Sequence, residues 1–127
     1  MNNKTKTLRL YCSEKELNEV VSGERAVITR EVRPNNARRF LELNEDEECV
    51  GVRQFENGIL TCRKNSAEIE VTIAKIMLME IEDENGELVH YEYHGRTYQM
   101  AEADIYLESV TKKKGMFPLT TNKILQK

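Results

Sequence analysis

VVSGERAVITREVRP, residues 20–34, contains a glycine, a run of β-branched residues and a proline, in that order. Gly23 suits the left-handed conformation that ends a helix, because glycine adopts it without steric cost. Pro34 disfavours the helical conformation at the residue before it. Residues 26–33 between them are rich in valine, isoleucine and threonine, which favour strands. The segment therefore predicts the end of a short helix followed by a strand over 26–33.

The residues before this segment predict a strand and a capped helix. Apolar and polar residues alternate in residues 7–12, TLRLYC, with the period of a half-buried strand. Ser13 and Glu16 have the spacing of a capping box, and Leu17 and Val20 begin an apolar stripe at helical spacing. We expect the helix to start after Ser13.

The residues after Pro34 predict a second short helix and a series of hairpins. Asn35 or Asn36 is placed to cap a helix that includes Phe40. Asn57-Gly58 favours a hairpin turn, and DENGE at 83–87 and HGR at 94–96 favour two more. Further strands are predicted at 49–55, 59–63, 68–81, 88–93 and 103–110.

About six or seven strands and two short helices in the N-terminal half predict an α+β fold with a small antiparallel, partly closed β-barrel. A chain of 127 residues has the length of one domain. The strand pattern fades after residue 110. We therefore expect a single domain over 1–110 and a basic, flexible tail over 111–127.

The composition restricts the partners. The formal net charge is -3, whereas proteins that grip duplex nucleic acid through its phosphates need a broad positive surface, so strong duplex DNA binding is not expected. No stretch approaches the roughly 18 apolar residues of a membrane span. The N-terminus lacks the apolar core of a secretory signal, which predicts a cytoplasmic protein without a membrane partner.

The sequence predicts neither a metal site nor a cofactor. Cys12, Cys49 and Cys62 form no C-x-x-C pair, which favours reduced, mostly buried thiols over a zinc knuckle or a disulfide framework. His90 and His94 fall on one face of a straight strand, but no recognisable third and fourth zinc ligands lie nearby. The motifs of P-loop nucleotide hydrolases, dinucleotide-binding folds, serine esterases and zinc proteases are absent.

Charge is segregated along the chain. Five of the nine arginines lie between positions 25 and 39 with a single acid, whereas residues 42–48 and 80–87 carry five acids each. The planar guanidinium suits bidentate contact with phosphate and stacking on bases, so the arginine-rich segment is a candidate anion site. The alternative is that these arginines lie on exposed faces and pair with the acids that follow.

Tyrosines are concentrated near the second and third predicted turns. Tyr91, Tyr93 and Tyr98 could stack on a nucleobase, and they also suit half-buried cross-strand positions. The sequence leaves both interpretations open.

The order of a capped helix, Gly23, Arg25 and Arg30 resembles the signature of ASCH domains, which are PUA-like β-barrels. The resemblance covers roughly residues 7–110. It implies a cleft beside the helix that binds RNA or a modified nucleoside, lined by the basic residue and the arginine of the motif. The candidate ligand-binding residues are Gly23, Arg25, Arg30, Arg33, Arg38 and Arg53, with the last three as outer contacts.

Some small ASCH members look like amidohydrolases that remove an acyl group from a modified cytidine. At the positions of their lysine and threonine this chain has Arg25 and Ile28. Arginine stays protonated and isoleucine has no hydroxyl group, so the resemblance implies binding rather than this reaction. Glu68 or Glu70 falls in the region of the family's glutamate, and the catalytic residues, if any, stay open.

We therefore predict a small RNA- or nucleotide-binding domain with an arginine-lined cleft. Single-stranded RNA or a nucleotide-sized anion is favoured over a duplex, because stacking in a local pocket tolerates a negative net charge. One alternative is a nucleoside- or RNA-directed hydrolase, with Arg30 holding an anion and Glu31 or Glu68 as base. Another is a protein-interaction module of a mobile element, whose acidic hairpin at 80–87 engages a basic partner.

Overall fold

The structure is a computed structural model that describes residues 5–115, with side chains from Thr7 onward. It confirms an α+β protein made mostly of strands, with two short helices in the N-terminal half. The elements are β1 (Thr5–Tyr11), α1 (Glu14–Ser22), β2 (Val27–Val32), α2 (Ala37–Phe40), β3 (Leu41–Leu43), β4 (Cys49–Val52), β5 (Phe55–Thr61), β6 (Glu68–Glu80), β7 (His90–Tyr93), β8 (Arg96–Gln99) and β9 (Ala101–Lys114).

The strands form one five-stranded sheet and two small hairpin sheets. The large sheet has the order β1-β5-β6-β9-β2, and the hairpins are β3-β4 and β7-β8. β1 pairs with β5 in parallel, so the prediction of an antiparallel architecture is wrong for this edge of the sheet. A parallel pair requires a long crossover, which the intervening helices and strands provide. β1 and β2 are the two edge strands, and this order does not show a closed barrel.

The chain that we expect to be one domain divides into two compact units by its internal contacts. Within the described residues, the first unit comprises 5–28, 55–75 and 106–115, and the second comprises 29–54 and 76–105. The chain passes from one unit to the other within β2, β6 and β9. Each unit therefore depends on segments that are distant in sequence.

Helix α1 has both predicted ends. The Ser13 hydroxyl accepts a hydrogen bond from the Glu16 amide at 3.0 Å, and the Glu16 carboxylate accepts one from the Ser13 amide at 3.3 Å. Gly23 ends the helix with φ of 90° and donates its amide to the Val20 carbonyl. Leu17 and Val20 are buried, so the predicted apolar stripe faces the core of the first unit. These features are confirmed because capping depends on neighbours in sequence.

The predicted hairpin turn at Asn57-Gly58 is wrong, because both residues lie inside β5. Gly58 is buried, and β5 lies between β1 and β6. A Cβ on Gly58 would lie 3.2 Å from Ile73 Cδ1 and 3.2 Å from Val71 Cγ2, on the neighbouring strand β6. The glycine therefore provides room for close strand packing, which is the other common reason for glycine in a strand.

The other two predicted turns are confirmed. The Asp83 carboxylate accepts hydrogen bonds from the amides of Asn85, at 2.8 Å, and Glu87, at 3.0 Å. His94 and Gly95 have φ of 51° and 77° and join β7 to β8. Two successive positive φ angles are typical of the tight turns that match the twist of a hairpin.

Each unit has its own set of buried apolar side chains. In the first unit they include Leu8, Leu10, Leu17, Val20, Ile28, Phe55, Leu60, Ile69, Val71 and Ile73. In the second they include Val32, Phe40, Leu41, Ile76, Ala103 and Ile105. The long apolar segment at 68–81 forms β6 as predicted, and its buried residues contribute to both sets.

The cysteines and the predicted tail differ in part from expectation. Cys12 and Cys62 are buried as predicted, whereas Cys49 is exposed at the start of β4. Strand β9 continues to Lys114, past the predicted start of the tail at 111, and the Thr111 hydroxyl donates to the Glu70 carbonyl at 3.2 Å. Residues 116–127 of the predicted tail lie outside the described residues. Among residues 5–115, no helix is long and apolar enough to cross a membrane.

The position of Gly58 generates the first prediction. Gly58→Val should lower the free energy of unfolding by roughly 1–3 kcal/mol, because the added carbons meet Val71 and Ile73 in a packed sheet. The matched control is Asn57→Thr. A strand tolerates threonine at 57, so a change within about 0.5 kcal/mol is expected, whereas a tight turn would be strongly destabilised. Urea denaturation measures both, and a large loss for Asn57→Thr would contradict the strand assignment.

Candidate functional site

The second unit contains a cavity of about 370 Å³ that combines apolar, aromatic and charged side chains. Its residues come from β2 and the turn after it, α2, β3, β4, β6, β7, β8 and β9. They are Val32, Arg33, Pro34, Ala37, Arg38, Leu41, Leu43, Glu47, Cys49, Leu78, Glu80, Tyr91, Tyr98, Gln99 and Ala101. All belong to the second unit, and they include two of the predicted site arginines. This cavity is the candidate site.

Arg33 lies at the mouth of the cavity, directly after β2. Its guanidinium is 2.7 Å from the Glu31 carboxylate and 5.0 Å from the centre of the Tyr91 ring. The turn that holds it is fixed by Asn36, whose side chain accepts from the Arg33 amide at 2.7 Å and donates to the Glu31 carbonyl at 3.0 Å. Asn36 therefore stabilises the turn, and its side chain does not cap α2 as predicted.

Arg38 reaches the cavity from α2, a helix of a single turn. Its side chain is 64% exposed and lies 4.0 Å from the Glu47 carboxylate. Arg53 does not line the cavity: its Nε donates to the Arg38 carbonyl at 2.8 Å, and its amide donates to the Phe40 carbonyl at 2.7 Å. Arg53 thus holds the backbone of α2 beside Arg38 and, unlike Arg38, does not line this cavity.

Tyr91 and Tyr98 are register partners on β7 and β8 and both line the cavity. Their ring centroids are 5.8 Å apart with an angle of 25° between the planes, which is a stacked arrangement. Both are half-buried, so each retains accessible ring surface. The sequence leaves open whether these tyrosines are half-buried cross-strand residues or could stack on a nucleobase. They form a cross-strand pair, and because they also line a cavity, the second interpretation is compatible with the first.

The environment of Tyr91 shifts its ionisation. Partial burial raises the pKa of the Tyr91 phenol above its ordinary value, because burial disfavours the anion. The Arg33 charge acts in the opposite direction, and the charges of Glu31 and Tyr98 raise the pKa further. The phenol is therefore neutral at physiological pH and can donate a hydrogen bond.

The other predicted site residues lie elsewhere. Gly23 and Arg25 belong to the first unit, where the Arg25 guanidinium contacts the Glu19 carboxylate through Nε at 2.8 Å and through a terminal nitrogen at 2.7 Å. Arg30 belongs to the second unit and donates to the Thr29 carbonyl at 2.8 Å. Neither arginine lines the candidate cavity. Ile28 is fully buried.

The charges that line the cavity balance. Arg33 and Arg38 provide two positive charges, and Glu47 and Glu80 provide two negative charges. Arg96 also lies 3.8 Å from Glu47, so this carboxylate is shared between Arg38 and Arg96. The lining carries no net charge, so it has no excess of positive charge that would attract a polyphosphate.

Several lining residues could not be identified from the sequence. Leu78, Gln99 and Ala101 carry no motif. The contact of Arg38 with Glu47 agrees with the alternative that these arginines pair with the acids that follow them. On the other side of the cavity, the sequence indicates Tyr91 and Tyr98 as aromatic candidates but gives no sign of Gln99.

The described part of the chain contains no cluster of three or more histidine, cysteine, aspartate or glutamate residues arranged to hold a metal ion. His90 lies in β7, and His94 lies in the turn with its ring centroid 4.1 Å from that of Tyr93. The two histidines that we placed on one face thus occupy a strand and a turn.

Comparison of the chain with known protein families, curated proteins and solved structures finds no match.

The charges around Tyr91 generate the second prediction. Arg33→Gln should raise the Tyr91 pKa further, because it removes the positive charge that stabilises the phenolate, and Glu31→Gln should lower it. Ultraviolet titration, with NMR of the labelled tyrosines for assignment, measures both shifts. Since folding raises this pKa, the stability contributed by Tyr91 is complete below its unfolded pKa of about 10 and is lost as pH rises through the folded value. A lower Tyr91 pKa in Arg33→Gln would contradict the described contact.

Proposed function

We propose that the protein binds a nucleotide-sized ligand, a single nucleotide of RNA or a free nucleotide, in the cavity of the second unit. The observation that supports this proposal is the combination of a stacked Tyr91–Tyr98 pair with Arg33 and Arg38 around an apolar floor. Aromatic faces bind bases and guanidinium groups bind phosphate, and a nucleotide requires both within a few ångströms.

The aromatic side of the cavity suits a nucleobase. Base–aromatic stacking contributes about 1–3 kcal/mol per base and requires no particular base, since every base has a π face. Leu41, Leu43 and Leu78 supply apolar surface in the same cavity. Gln99 supplies one donor and one acceptor group that can contact a base edge.

The charged side suits one phosphate. Exposed ion pairs such as Arg38–Glu47, at 4.0 Å, contribute at most about 1 kcal/mol, so a ligand can displace the carboxylate at small cost. A hydrogen bond to a charged group is worth about 1.5–3 kcal/mol, which favours the exchange. Arg33 is held more closely by Glu31, at 2.7 Å, and we assign it the role of orienting Tyr91 beside the ligand.

The size of the cavity also supports a single nucleotide. Small-molecule sites occupy about 300–1,000 Å³, and this cavity of 370 Å³ is near the lower limit. A single-stranded RNA would place one residue in it, with the rest of the strand outside. The net charge of -3 is consistent with recognition of one nucleotide rather than of a long duplex.

The proposal keeps the ASCH resemblance as its fold hypothesis, a partly closed PUA-like barrel, but moves the site. The resemblance implies a cleft lined by Arg25 and Arg30, whereas Arg25 is engaged by Glu19 and the cavity is lined by Arg33 and Arg38. Arg25 and Ile28 supply neither a general base nor a hydroxyl, which favours binding over removal of an acyl group.

Binding by the wild type and two arginine variants tests the proposal. Short fluorescent RNA oligonucleotides and nucleoside monophosphates are titrated separately. Arg38→Ala should weaken binding by roughly 10- to 100-fold, because it removes a charge-assisted contact. Arg39→Ala is the matched control: Arg39 lies on the same helical turn, is exposed and does not line the cavity, so its binding should equal that of the wild type.

Two further comparisons define the ligand. Tyr98→Ala should weaken binding about 5- to 100-fold through loss of stacking, and Tyr98→Phe should retain it. A free nucleotide that binds as tightly as the oligonucleotide identifies the free nucleotide as the ligand, and preference for the oligonucleotide identifies RNA. Equal losses for Arg38→Ala and Arg39→Ala, or no binding of either class, would refute the proposal.

A further inference from the structure

Two buried cysteines are neighbours across the parallel pair β1–β5. The register of this pair ends with Tyr11 opposite Thr61. The Cys12 amide then donates to the Thr61 carbonyl at 2.9 Å. This bond completes the Tyr11–Thr61 pair, because a residue of a parallel ladder bonds to the residues on either side of its partner. The Thr61 carbonyl belongs to the peptide group that joins Thr61 to Cys62, so the bond also brings the Cys12 amide close to the Cys62 backbone.

The two thiols are buried next to exposed side chains. Cys12 is 7% exposed and Cys62 is 2% exposed, whereas their neighbours Tyr11 and Arg63 are exposed. The Arg63 guanidinium lies 3.8 Å from the centre of the Tyr11 ring, so the exposed side chains next to the two cysteines contact each other. Both cysteines are buried beneath these exposed neighbours.

The spacing of neighbouring strands is within the reach of a disulfide. Adjacent strands are about 4.8 Å apart, and disulfides join cysteines whose Cα atoms are about 4.4–6.8 Å apart. We therefore expect the two residues that follow the last pair of β1 and β5 to lie at a separation that a disulfide can span.

A small co-reactant can reach the pair. Cys12 and Cys62 line an open groove of about 670 Å³ in the first unit. Lys15, Arg63 and Lys64 line the same groove, with Glu14 as its acidic residue. The excess of positive charge favours an anionic, carboxylate-bearing co-reactant over a neutral or cationic one.

We propose that Cys12 and Cys62 form a thiol–disulfide exchange site that reacts with small carboxylate-bearing disulfides. The Cys12 thiolate attacks the small disulfide, its S–S bond breaks, and one small thiolate leaves and takes up a proton. The Cys62 thiolate then attacks the Cys12 sulfur of the mixed disulfide, which forms the Cys12–Cys62 bond and releases the second small thiol. The two protein sulfurs are oxidised by two electrons in total, and the small disulfide is reduced.

The expected consequence of the Cys12–Cys62 disulfide is that the edge strand β1 is covalently attached to the end of β5. β1 is an edge of the five-stranded sheet and has β5 as its neighbour there. The disulfide joins the end of β1 to the end of β5 and closes a loop of about 50 residues, which restricts the conformations of the unfolded chain. In the folded protein it also restricts local opening of β1 from the edge of the sheet. This inference does not depend on the proposed ligand site, which lies in the other unit.

Treatment of the folded, reduced wild-type chain with oxidised glutathione tests the inference. The product should be lighter by about 2 Da, the two hydrogens lost, and peptide mapping should find the link between Cys12 and Cys62. Dithiothreitol should restore both thiols. Hydrogen exchange of the β1 amides should be slower in the oxidised form, since the tether restrains the edge strand.

The exposed Cys49 is the internal comparison, and Cys49→Ser removes it without touching the buried pair. The Cys49→Ser chain should form the same link. Mapping on the wild type gives the result even if substitution of a buried cysteine prevents folding. A stable mixed disulfide without the internal link, reaction at Cys49 alone, or a link that leaves β1 exchange unchanged would overturn the inference.

Discussion

The close approach of β5 to its two neighbours is the constraint on which the first unit depends. Gly58 lies within β5, and its missing side chain leaves space for Val71 and Ile73 of β6. The Leu8 carbonyl of β1 would be 3.6 Å from a Cβ at the same position. One glycine thus accommodates strands on both sides, where β1 pairs with β5 in parallel. Cys12 and Cys62 directly follow the last pair of this register, Tyr11 and Thr61.

In the second unit, side chains also contact the backbone and hold segments that lie outside the strands. Asn36 holds the turn after β2, and Arg53 holds α2. The side-chain amide of Gln54 donates to the Ile76 carbonyl at 3.1 Å, and its side-chain oxygen accepts from the Ile76 backbone amide at 3.0 Å. The side chain thus makes the two hydrogen bonds that a neighbouring strand would make. Polar residues therefore fix the irregular segments that surround the cavity, where regular pairing is short.

Local features could be predicted from the sequence, and non-local ones could not. The ends of α1 and the turns at 83–87 and 94–96 were correct because their hydrogen bonds join residues a few positions apart. Asn57-Gly58 has the same local chemistry as those turns, but burial between two strands overrides it. The parallel pairing of β1 and the meeting of Arg33, Arg38 and Tyr91 depend on packing across long stretches of chain, which periodicity does not encode.

The number of arginines in the sequence does not describe the charge of the cavity, because acidic side chains lie beside its two arginines. The sequence interpretation set an arginine-lined anion site against arginines paired with nearby acids. The structure shows ion pairs for both cavity arginines, since Arg33 pairs with Glu31 and Arg38 approaches Glu47. Pairing at 2.7 Å fixes a guanidinium in position, where it can orient an aromatic ring. Pairing at 4.0 Å on an exposed side chain leaves the guanidinium available to a stronger acceptor. The two cavity arginines therefore differ in how closely an acid holds them, which the number of arginines does not indicate.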